Sequence, residues 1–168
     1  MKRTRFSAMR CSIARSLDRI GDWWTPLIVR DVFLGVCRFD DLVLDLGISR
    51  NLLTTRLKRL VAQGVLARTA YQSRPRRFEY TLTDAGRELV PVLLALMAWG
   101  DRWAAPAEGP PLRISHATCG QFTLPVVSCS DCGARLDPQD VRAHPGPGGA
   151  RRRGTQVLAV RLTAQAKP

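Results

Sequence analysis

The sequence predicts a mainly α-helical (α+β) chain with one small β-hairpin, followed by a small module that contains cysteines. Three features of the pattern support this prediction. Apolar residues recur every three or four positions through most of the first hundred residues, which is typical of helices packed on a core. Between residues 65 and 82 the pattern changes to an alternation, as in two β-strands. Beyond residue 104 the helical period ends, and two short motifs that contain cysteine follow.

The charge of the chain indicates a polyanionic partner. There are 26 Lys and Arg residues against 14 Asp and Glu, which leaves a net charge of +12. Nucleic acid is the first candidate for such a basic chain. No apolar run is long enough to span a membrane and the N-terminus lacks the apolar segment of a secretory signal, so we expect a cytoplasmic protein. Its five cysteines are then expected to be thiols or metal ligands, not a disulfide framework.

Two helices are predicted before residue 35. The first covers about residues 11–20, with Ile13, Leu17 and Ile20 on one side. The second runs through Leu34 and is capped by Asp22 or Thr25; Pro26 favours Thr25, because proline is tolerated at the first helical position. Its apolar residues, which we expect in the core, are Trp23, Trp24, Leu27, Ile28, Val32 and Phe33.

A helix-turn-helix is predicted next. A short extended stretch over residues 36–39 leads into a third helix over Phe39–Leu46, and Gly47 and Ile48 form the turn into a fourth helix that begins at Ser49 and stops at Gly64. At 100° per residue this helix has an apolar face and an opposite face of short polar side chains and cations. The apolar face is Leu53, Leu57, Leu60 and Val61; the polar face is Asn51, Thr55 and Lys58, flanked by Thr54 and Arg59.

That polar face suits the reading of bases in a major groove. Amides and hydroxyls recognise base edges, and Arg or Lys recognises guanine or phosphate. Taken alone, the same face also fits an ordinary amphipathic helix whose basic side is only solvated. What favours the DNA interpretation is the segment that follows the helix.

Two strands over residues 65–71 and 77–82 form a hairpin around the polar tip 72–76. Charged turns are common, so an arginine-rich tip alone predicts little. A basic hairpin directly after a recognition helix, however, is the wing of a winged helix-turn-helix, and its arginines would contact phosphates or an adjacent minor groove. We therefore expect base contacts from Asn51, Thr54, Thr55 and Lys58, with Ser49 at the start of the helix, and phosphate or minor-groove contacts from Arg50, Arg59, Arg74, Arg76 and Arg77.

A last helix is predicted from Thr83 and Asp84 to about Trp103, with Pro91 causing a kink or marking a late start. It is apolar on most faces and must be buried on most faces. A second copy of the chain is the favoured cover, and burial beneath the C-terminal segment is the alternative. A homodimer also suits two-fold DNA sites with half-sites about 34 Å apart.

The residues that match a known family are Cys11, 20–24, 38–42, 47–49, Leu53, Arg56, Leu57, Leu60, Gly64, Arg68, 75–86, Trp99 and Gly100. Through them the stretch from Cys11 to Trp103 resembles the HxlR family of bacterial winged-helix transcriptional regulators, a branch near the MarR type, and we assign residues 8–103 to this domain. The resemblance implies a homodimer with the first helix and the helix over residues 89–103 at its interface, action at promoters as a repressor or activator, and no catalysis.

Cys11 is a candidate redox sensor because some members of that family use a cysteine near the start of the first helix to detect oxidants or electrophiles. A helix N-terminus and the neighbouring Arg10 and Arg15 favour a thiolate. The alternative is a buried and inert cysteine.

The chain after residue 103 divides into a linker over 104–114, a zinc-ribbon-like module over 115–141 and a flexible basic tail over 142–168. His116 and Cys119, and then Cys129 and Cys132, are each spaced as ligand-x-x-Cys-Gly, which suits a structural Zn²⁺ site. Open alternatives are a redox dithiol at Cys129 and Cys132, His144 as the fourth ligand, and a ribbon that has lost its metal. A short hairpin with Phe122, Leu124, Val126 and Val127 is expected between the two motifs, and a stray strand over residues 156–162.

The function predicted from these features is that of a homodimeric regulator that binds double-stranded DNA. Two rival functions are a protein-interaction adaptor built on the winged helix and a thiol-redox protein. No paired carboxylates, catalytic triad or phosphate-binding glycine loop stands out, so an enzyme is not expected. The operator and any small-molecule inducer remain unspecified by these motifs.

Overall fold

The computed structural model describes residue 6 and residues 8–165, and these form two compact units. One unit is Pro26–Leu136; the other combines the described residues up to Thr25 with those from Asp137 onward. The elements are α1 Ser12–Ile20, α2 Trp24–Phe33, α3 Phe39–Leu46, α4 Arg50–Ala62, β1 Leu66–Ser73, β2 Arg76–Leu82, α5 Asp84–Trp103, β3 Ile114–Ser115, β4 Phe122–Thr123 and α6 Gln156–Gln165. The predicted mixed α+β winged helix is confirmed.

The start of α2 differs from the prediction. The Asp22 carboxylate accepts hydrogen bonds from the backbone N–H of Trp24 and Thr25, both at 3.1 Å, and from the Thr25 hydroxyl at 2.7 Å. Asp22 therefore caps the helix, and the prediction of Thr25 as cap was wrong. A carboxylate at this position outweighs the preference of Pro26 for the first helical position, because it satisfies two backbone donors and also favours the positive end of the helix dipole.

The core of the larger unit is built from α2, α3 and α4. Its best-buried side chains include Ile28, Leu42, Leu53, Leu57 and Leu60. The prediction that Trp23, Leu27 and Phe33 are core residues was wrong, since Trp23 is 91% exposed and the other two are 37% and 47% exposed. A ten-residue helix has one inward stripe, here Ile28, Val29 and Val32; Leu27 and Phe33 lie outside this stripe, and Trp23 precedes the helix.

The hairpin forms a small sheet that connects the helix-turn-helix to α5. Strands β1 and β2 are antiparallel, with Ser73 opposite Arg76, so the loop between them is only Arg74 and Pro75. The strands thus extend further toward the tip than predicted. The extended stretch before α3 joins the sheet, because Arg38 pairs with Glu79.

Helix α5 begins where the sequence predicts, and Pro91 lies inside it, so no late start occurs. The Thr83 side chain caps it by accepting from the Gly86 N–H at 3.2 Å and donates to the Gly64 carbonyl at 2.5 Å. Gly86 is needed for close approach, because a Cβ there would lie 2.3 Å from the Val65 carbonyl oxygen. The first turn of α5 is therefore packed tightly on the end of the helix-turn-helix.

The second half of α5 exposes an apolar stripe. Val92, Leu96, Trp99 and Trp103 are between 56% and 66% exposed. Their spacing of four, three and four residues puts them on one face of the helix, which we call the α5 stripe. No part of the described Pro26–Leu136 unit covers this face.

The smaller unit contains α1 and α6. Ala14 of α1 is buried, whereas Ile13 and Leu17 are exposed. Residues Gln156–Gln165 are helical, so the prediction of a stray strand over 156–162 was wrong. A short apolar run with weak alternation fits either period, and its Leu, Ala, Arg and Gln are good helix formers. The last residues of the predicted tail, 166–168, lie outside the described residues.

Candidate nucleic-acid interface

Helix α4 separates its two faces as the sequence predicts. Leu53, Leu57 and Leu60 are at most 1% exposed and fix the helix on the core. Ser49 is exposed and caps the helix by accepting from the Leu52 N–H at 3.4 Å. The opposite face presents Asn51, Thr55 and Lys58 as exposed side chains, while Thr54 and Arg59 are half-buried.

The two threonines of α4 present a specific chemistry. Thr54 donates its hydroxyl hydrogen to the Arg50 carbonyl at 2.8 Å, and Thr55 donates to the Asn51 carbonyl at 3.0 Å. Their hydroxyls are therefore committed as donors, and what they present outward is oxygen lone pairs and a methyl group. Such groups suit an exocyclic amine or a thymine methyl, not a base acceptor.

Arg50 is held at the start of α4 by two contacts with α3. Its Nη1 lies 2.8 Å from the Asp40 carboxylate, and its guanidinium lies 4.9 Å from the centre of the Phe39 ring. Both charged side chains are about two-thirds exposed. The ion pair thus orders Arg50 at the protein surface without removing it from solvent.

The wing and the recognition helix line one cleft. This cleft has a volume of about 430 Å³, and its walls include Arg50 and Thr54 from the helix-turn-helix and Pro75, Arg76 and Arg77 from the wing. Arg74, Arg76 and Arg77 are all exposed. Four of the predicted site residues, Arg50, Thr54, Arg76 and Arg77, therefore lie around one polar groove.

Arginine–aromatic contacts brace the wing, and these were missed from the sequence. Arg68 and Arg76 lie 4.2 and 5.1 Å from the centre of the Phe78 ring, and Arg38 lies 4.7 Å from that of Tyr71. Such contacts lower the rotamer freedom of the arginines and align them along the sheet. The alternation of side chains along a strand could have predicted such a contact, because Arg76 and Phe78 are two residues apart and therefore share a face of the sheet.

A buried aspartate of α2 pairs with a half-exposed arginine. Asp31 is 2% exposed, and Arg30 contacts its Oδ1 through Nη2 at 2.6 Å and Nε at 2.7 Å. Arg30 Nη2 also lies 3.5 Å from the Asp45 carboxylate of α3. Burial raises the pKa of the Asp31 carboxyl; the hydrogen bond and charge of Arg30 oppose this rise, and Asp45 adds to it.

Cys11 is the N-cap residue of α1, immediately before the first helical residue. It is half-buried, and the neighbouring Arg10 and Arg15 are exposed. The described residues thus place the thiol at a helix N-terminus with partial access to solvent. Cys37 is also half-buried, and its carbonyl accepts from the Tyr80 N–H at 2.8 Å as part of the small sheet.

The C-terminal motifs form two separate turns. The prediction of a single hairpin between them was wrong. His116 and Cys119 lie in the turn that joins β3 to β4, and Cys129 and Cys132 lie in the turn closed by the pairing of Ser128 with Arg135. We call these the first and second knuckles. His116 Nδ1 lies 3.5 Å from Cys119 Sγ. Within residues 6 and 8–165, no three His, Cys, Asp or Glu side chains are arranged to hold a metal ion.

Backbone amides stabilise the Cys129 thiolate. Hydrogen bonds from the N–H groups of Cys132 and Asp131 lower the pKa of the Cys129 thiol, and the Cys132 side chain contributes in the same direction. His144, the alternative fourth ligand, is exposed and lies in the other compact unit.

The fold and this surface define a winged helix-turn-helix transcriptional regulator. A family model described as HxlR-like helix-turn-helix matches residues 19–108, which is more than half of the chain. The chain therefore belongs to the HxlR family. Its relatives and fold are those of transcription regulators, not of enzymes.

Similar proteins extend the comparison beyond the winged helix. The uncharacterised HTH-type transcriptional regulator Rv3095 of Mycobacterium tuberculosis is 44% identical over 137 residues, 82% of this chain and 87% of that protein. The crystal structure of PA1607, classed as a transcription factor, is 37% identical with a TM-score of 0.71, over 81% of this chain and 95% of that one. The redox regulator HypR in its reduced form is 31% identical with a TM-score of 0.51, over 55% of this chain and 92% of that one.

No helix of the described part of the chain is long and apolar enough to cross a membrane.

Proposed function

We propose that this chain is a homodimeric, sequence-specific regulator of transcription that reads double-stranded DNA with α4 and holds it with the wing. The observation that carries this proposal is the common cleft of the two elements, lined by Arg50, Arg76 and Arg77 beside the exposed polar face of α4. A recognition helix in a major groove puts an adjoining hairpin onto the sugar–phosphate backbone or into the next minor groove. We propose that the dimer represses transcription when it is bound over a promoter. A protein with this function is located in the cytoplasm, on the bacterial nucleoid.

We expect the side chains of α4 and of the wing to contact different groups of the DNA. Asn51 offers an amide for bidentate contact with adenine, and Lys58 offers a donor for guanine. Thr54 and Thr55 present lone pairs and methyl groups, because their hydroxyl hydrogens bond the helix backbone. Arg50, Arg59, Arg74, Arg76 and Arg77 supply charge for phosphates or the minor groove.

The α5 stripe supports the homodimer. Four large apolar side chains in a row, including Trp99 and Trp103, are more than half exposed. Exposed apolar surface that is contiguous marks an interaction site, and tryptophan is enriched at the centres of interfaces. The exposed Ile13 and Leu17 of α1 offer a second apolar contact to a partner copy.

Binding to duplex DNA tests the proposal directly. The preferred site is first selected from a random duplex pool, and fluorescence anisotropy then measures affinity across a range of salt concentrations. Lys58→Ala should weaken binding to the selected site by about tenfold and relax its sequence preference, since a base contact is worth roughly 1–3 kcal/mol. Arg76→Ala should weaken binding to all duplexes equally and reduce the salt slope by about one.

Arg135→Ala is the matched control, because it removes the same charge at the exposed second knuckle. It should leave the affinity, the salt slope and the sequence preference unchanged. Unchanged affinity in both Lys58→Ala and Arg76→Ala would contradict the proposed geometry. Affinity that does not depend on salt in the wild-type chain would favour the protein-interaction adaptor instead.

We also propose that oxidants control this binding through Cys11. Support comes from its position as N-cap of α1 with partial exposure and from the similarity to the redox regulator HypR. Hydrogen peroxide should change DNA affinity in the wild-type chain and leave Cys11→Ser unaffected, with Cys37→Ser responding like wild type. An equal response of wild type and Cys11→Ser would contradict this role.

A further inference from the structure

The two knuckles share one backbone geometry. In the first, the Gly120 N–H donates to the His116 carbonyl at 2.7 Å and the His116 N–H donates to the Gln121 carbonyl at 2.9 Å. In the second, the Gly133 N–H donates to the Cys129 carbonyl at 2.9 Å and the Cys129 N–H donates to the Ala134 carbonyl at 2.8 Å. Both glycines are in the left-handed region, at φ +69° and +72°. This conformation lets the backbone of each knuckle turn back directly after its second candidate ligand.

The first knuckle has the dimensions of half a metal site. Two ligands of a tetrahedral Zn²⁺ with a Zn–N bond of about 2.05 Å and a Zn–S bond of about 2.3 Å lie about 3.6 Å apart. The measured distance from His116 Nδ1 to Cys119 Sγ is 3.5 Å. The turn thus already holds one edge of such a tetrahedron.

The knuckle region has almost no apolar core of its own. Phe122, Leu124, Val126, Val127 and Leu136 are all between 42% and 74% exposed. A segment of this size cannot bury enough apolar surface to fold by that means and needs a disulfide, a metal or a partner. The first knuckle cannot form an internal disulfide, because its two candidate ligands are one histidine and one cysteine.

We propose that residues 114–136 bind one structural Zn²⁺ through His116, Cys119, Cys129 and Cys132. The described side chains do not converge on one point, and the proposal requires the ion to draw the second knuckle onto the first. Four protein ligands complete a closed tetrahedron without an open position, so the ion stabilises the fold and performs no chemistry. This inference does not depend on the proposed DNA contacts.

The test uses the full-length chain purified without a histidine tag. Elemental analysis after dialysis should find about one zinc per chain. Replacement by Co²⁺ should give the visible bands of tetrahedral cobalt and a thiolate charge-transfer absorption that falls by about one third in Cys119→Ser or Cys129→Ser, because three thiolates become two. In the wild-type chain, zinc should protect Cys119, Cys129 and Cys132 from alkylation until a chelator is added.

His116→Ala and His144→Ala form a matched pair. His116→Ala should bind Co²⁺ more weakly than the wild-type chain, and His144→Ala should bind it equally well. The reverse result would overturn the assignment of His116. Absence of stoichiometric zinc, or a disulfide between Cys129 and Cys132 in zinc-containing buffer, would overturn the site itself. Both measurements are made on the wild-type chain, so they remain valid even if a variant fails to fold.

Discussion

Helices α4 and α5 carry similar apolar stripes, but within the described Pro26–Leu136 unit only the stripe of α4 is covered. Leu53, Leu57 and Leu60 of α4 are at most 1% exposed, whereas Leu96 and Trp99 of α5 are 56% and 60% exposed. Both stripes repeat at three and four residues, so both follow the same helical rule. Periodicity shows which face of a helix is apolar, and it does not show whether the cover comes from the same chain.

The two helices also differ in what their other faces present. The outer face of α4 is polar and basic, as the proposed contact with DNA requires. Helix α5 has no comparable polar face over its second half, since only Asp101 and Arg102 are charged after Glu88. The stability of α4 is therefore expected to belong to the monomer and that of the α5 stripe to the assembly.

The largest expected effect is the loss of a covered leucine. Leu57→Ala should lower the free energy of unfolding by about 3 kcal/mol, because it removes a fully buried side chain and leaves a cavity. Urea denaturation followed by circular dichroism measures it. Trp99→Ala, measured at concentrations where the chain is monomeric, should change that free energy little.

Trp99→Ala should instead weaken self-association about thirtyfold, since a central tryptophan of an interface is worth roughly 2 kcal/mol or more. Sedimentation equilibrium measures the dimer constant. A large loss of monomer stability in Trp99→Ala, together with unchanged association, would reverse the roles given to the two stripes.

Two glycines of α5 sharpen the same contrast within one helix. Gly86→Ala places a Cβ 2.3 Å from the Val65 carbonyl oxygen and should cost about 1–3 kcal/mol of unfolding free energy, since backbone must move. Gly100→Ala meets no described atom within 4 Å and should raise the unfolding free energy by about 0.5–1 kcal/mol through helix propensity. Thermal and urea unfolding measure both variants, and equal effects would contradict the tight packing of the first turn.

The smallest expected effect concerns the buried Asp31 of α2. Burial raises the folded-state pKa of Asp31, so its contribution to stability is greatest below about pH 4 and is lost as pH rises through that pKa. The unfolding free energy of Asp31→Asn minus that of wild type should therefore increase from about pH 4 toward neutrality and then level off. Urea denaturation at several pH values measures this difference, and a difference that falls with pH would contradict the direction of the shift.

The sequence predicted what depends on local pattern. The bounds of α3, the Ser49 cap, the buried face of α4 and the Thr83 cap of α5 each follow from a few neighbouring residues, and the structure has them as predicted. The wing was predicted from alternation, although its strands run closer to the tip than that pattern suggested.

The features that the sequence did not predict depend on competition between two local interactions or on residues that are distant in the sequence. The Asp22 cap won over Thr25 because one carboxylate bonds three groups at once. Trp23 is apolar, but it precedes the first residue of α2 and lies outside the inward stripe of that helix. Helix α6 was taken for a strand because seven residues do not separate a period of two from a period of 3.6.

The ion pair between Arg50 and Asp40 has a consequence for the encounter with DNA. The protein carries its own anion at the point where a phosphate would meet this arginine. If Arg50 contacts phosphate as proposed, an approaching strand would have to exchange places with a carboxylate, so a misaligned phosphate would gain little and a well-placed one would gain an arginine that is already oriented. On that proposal, Asp40 would act as an internal competitor that disfavours loose attachment to arbitrary sequence.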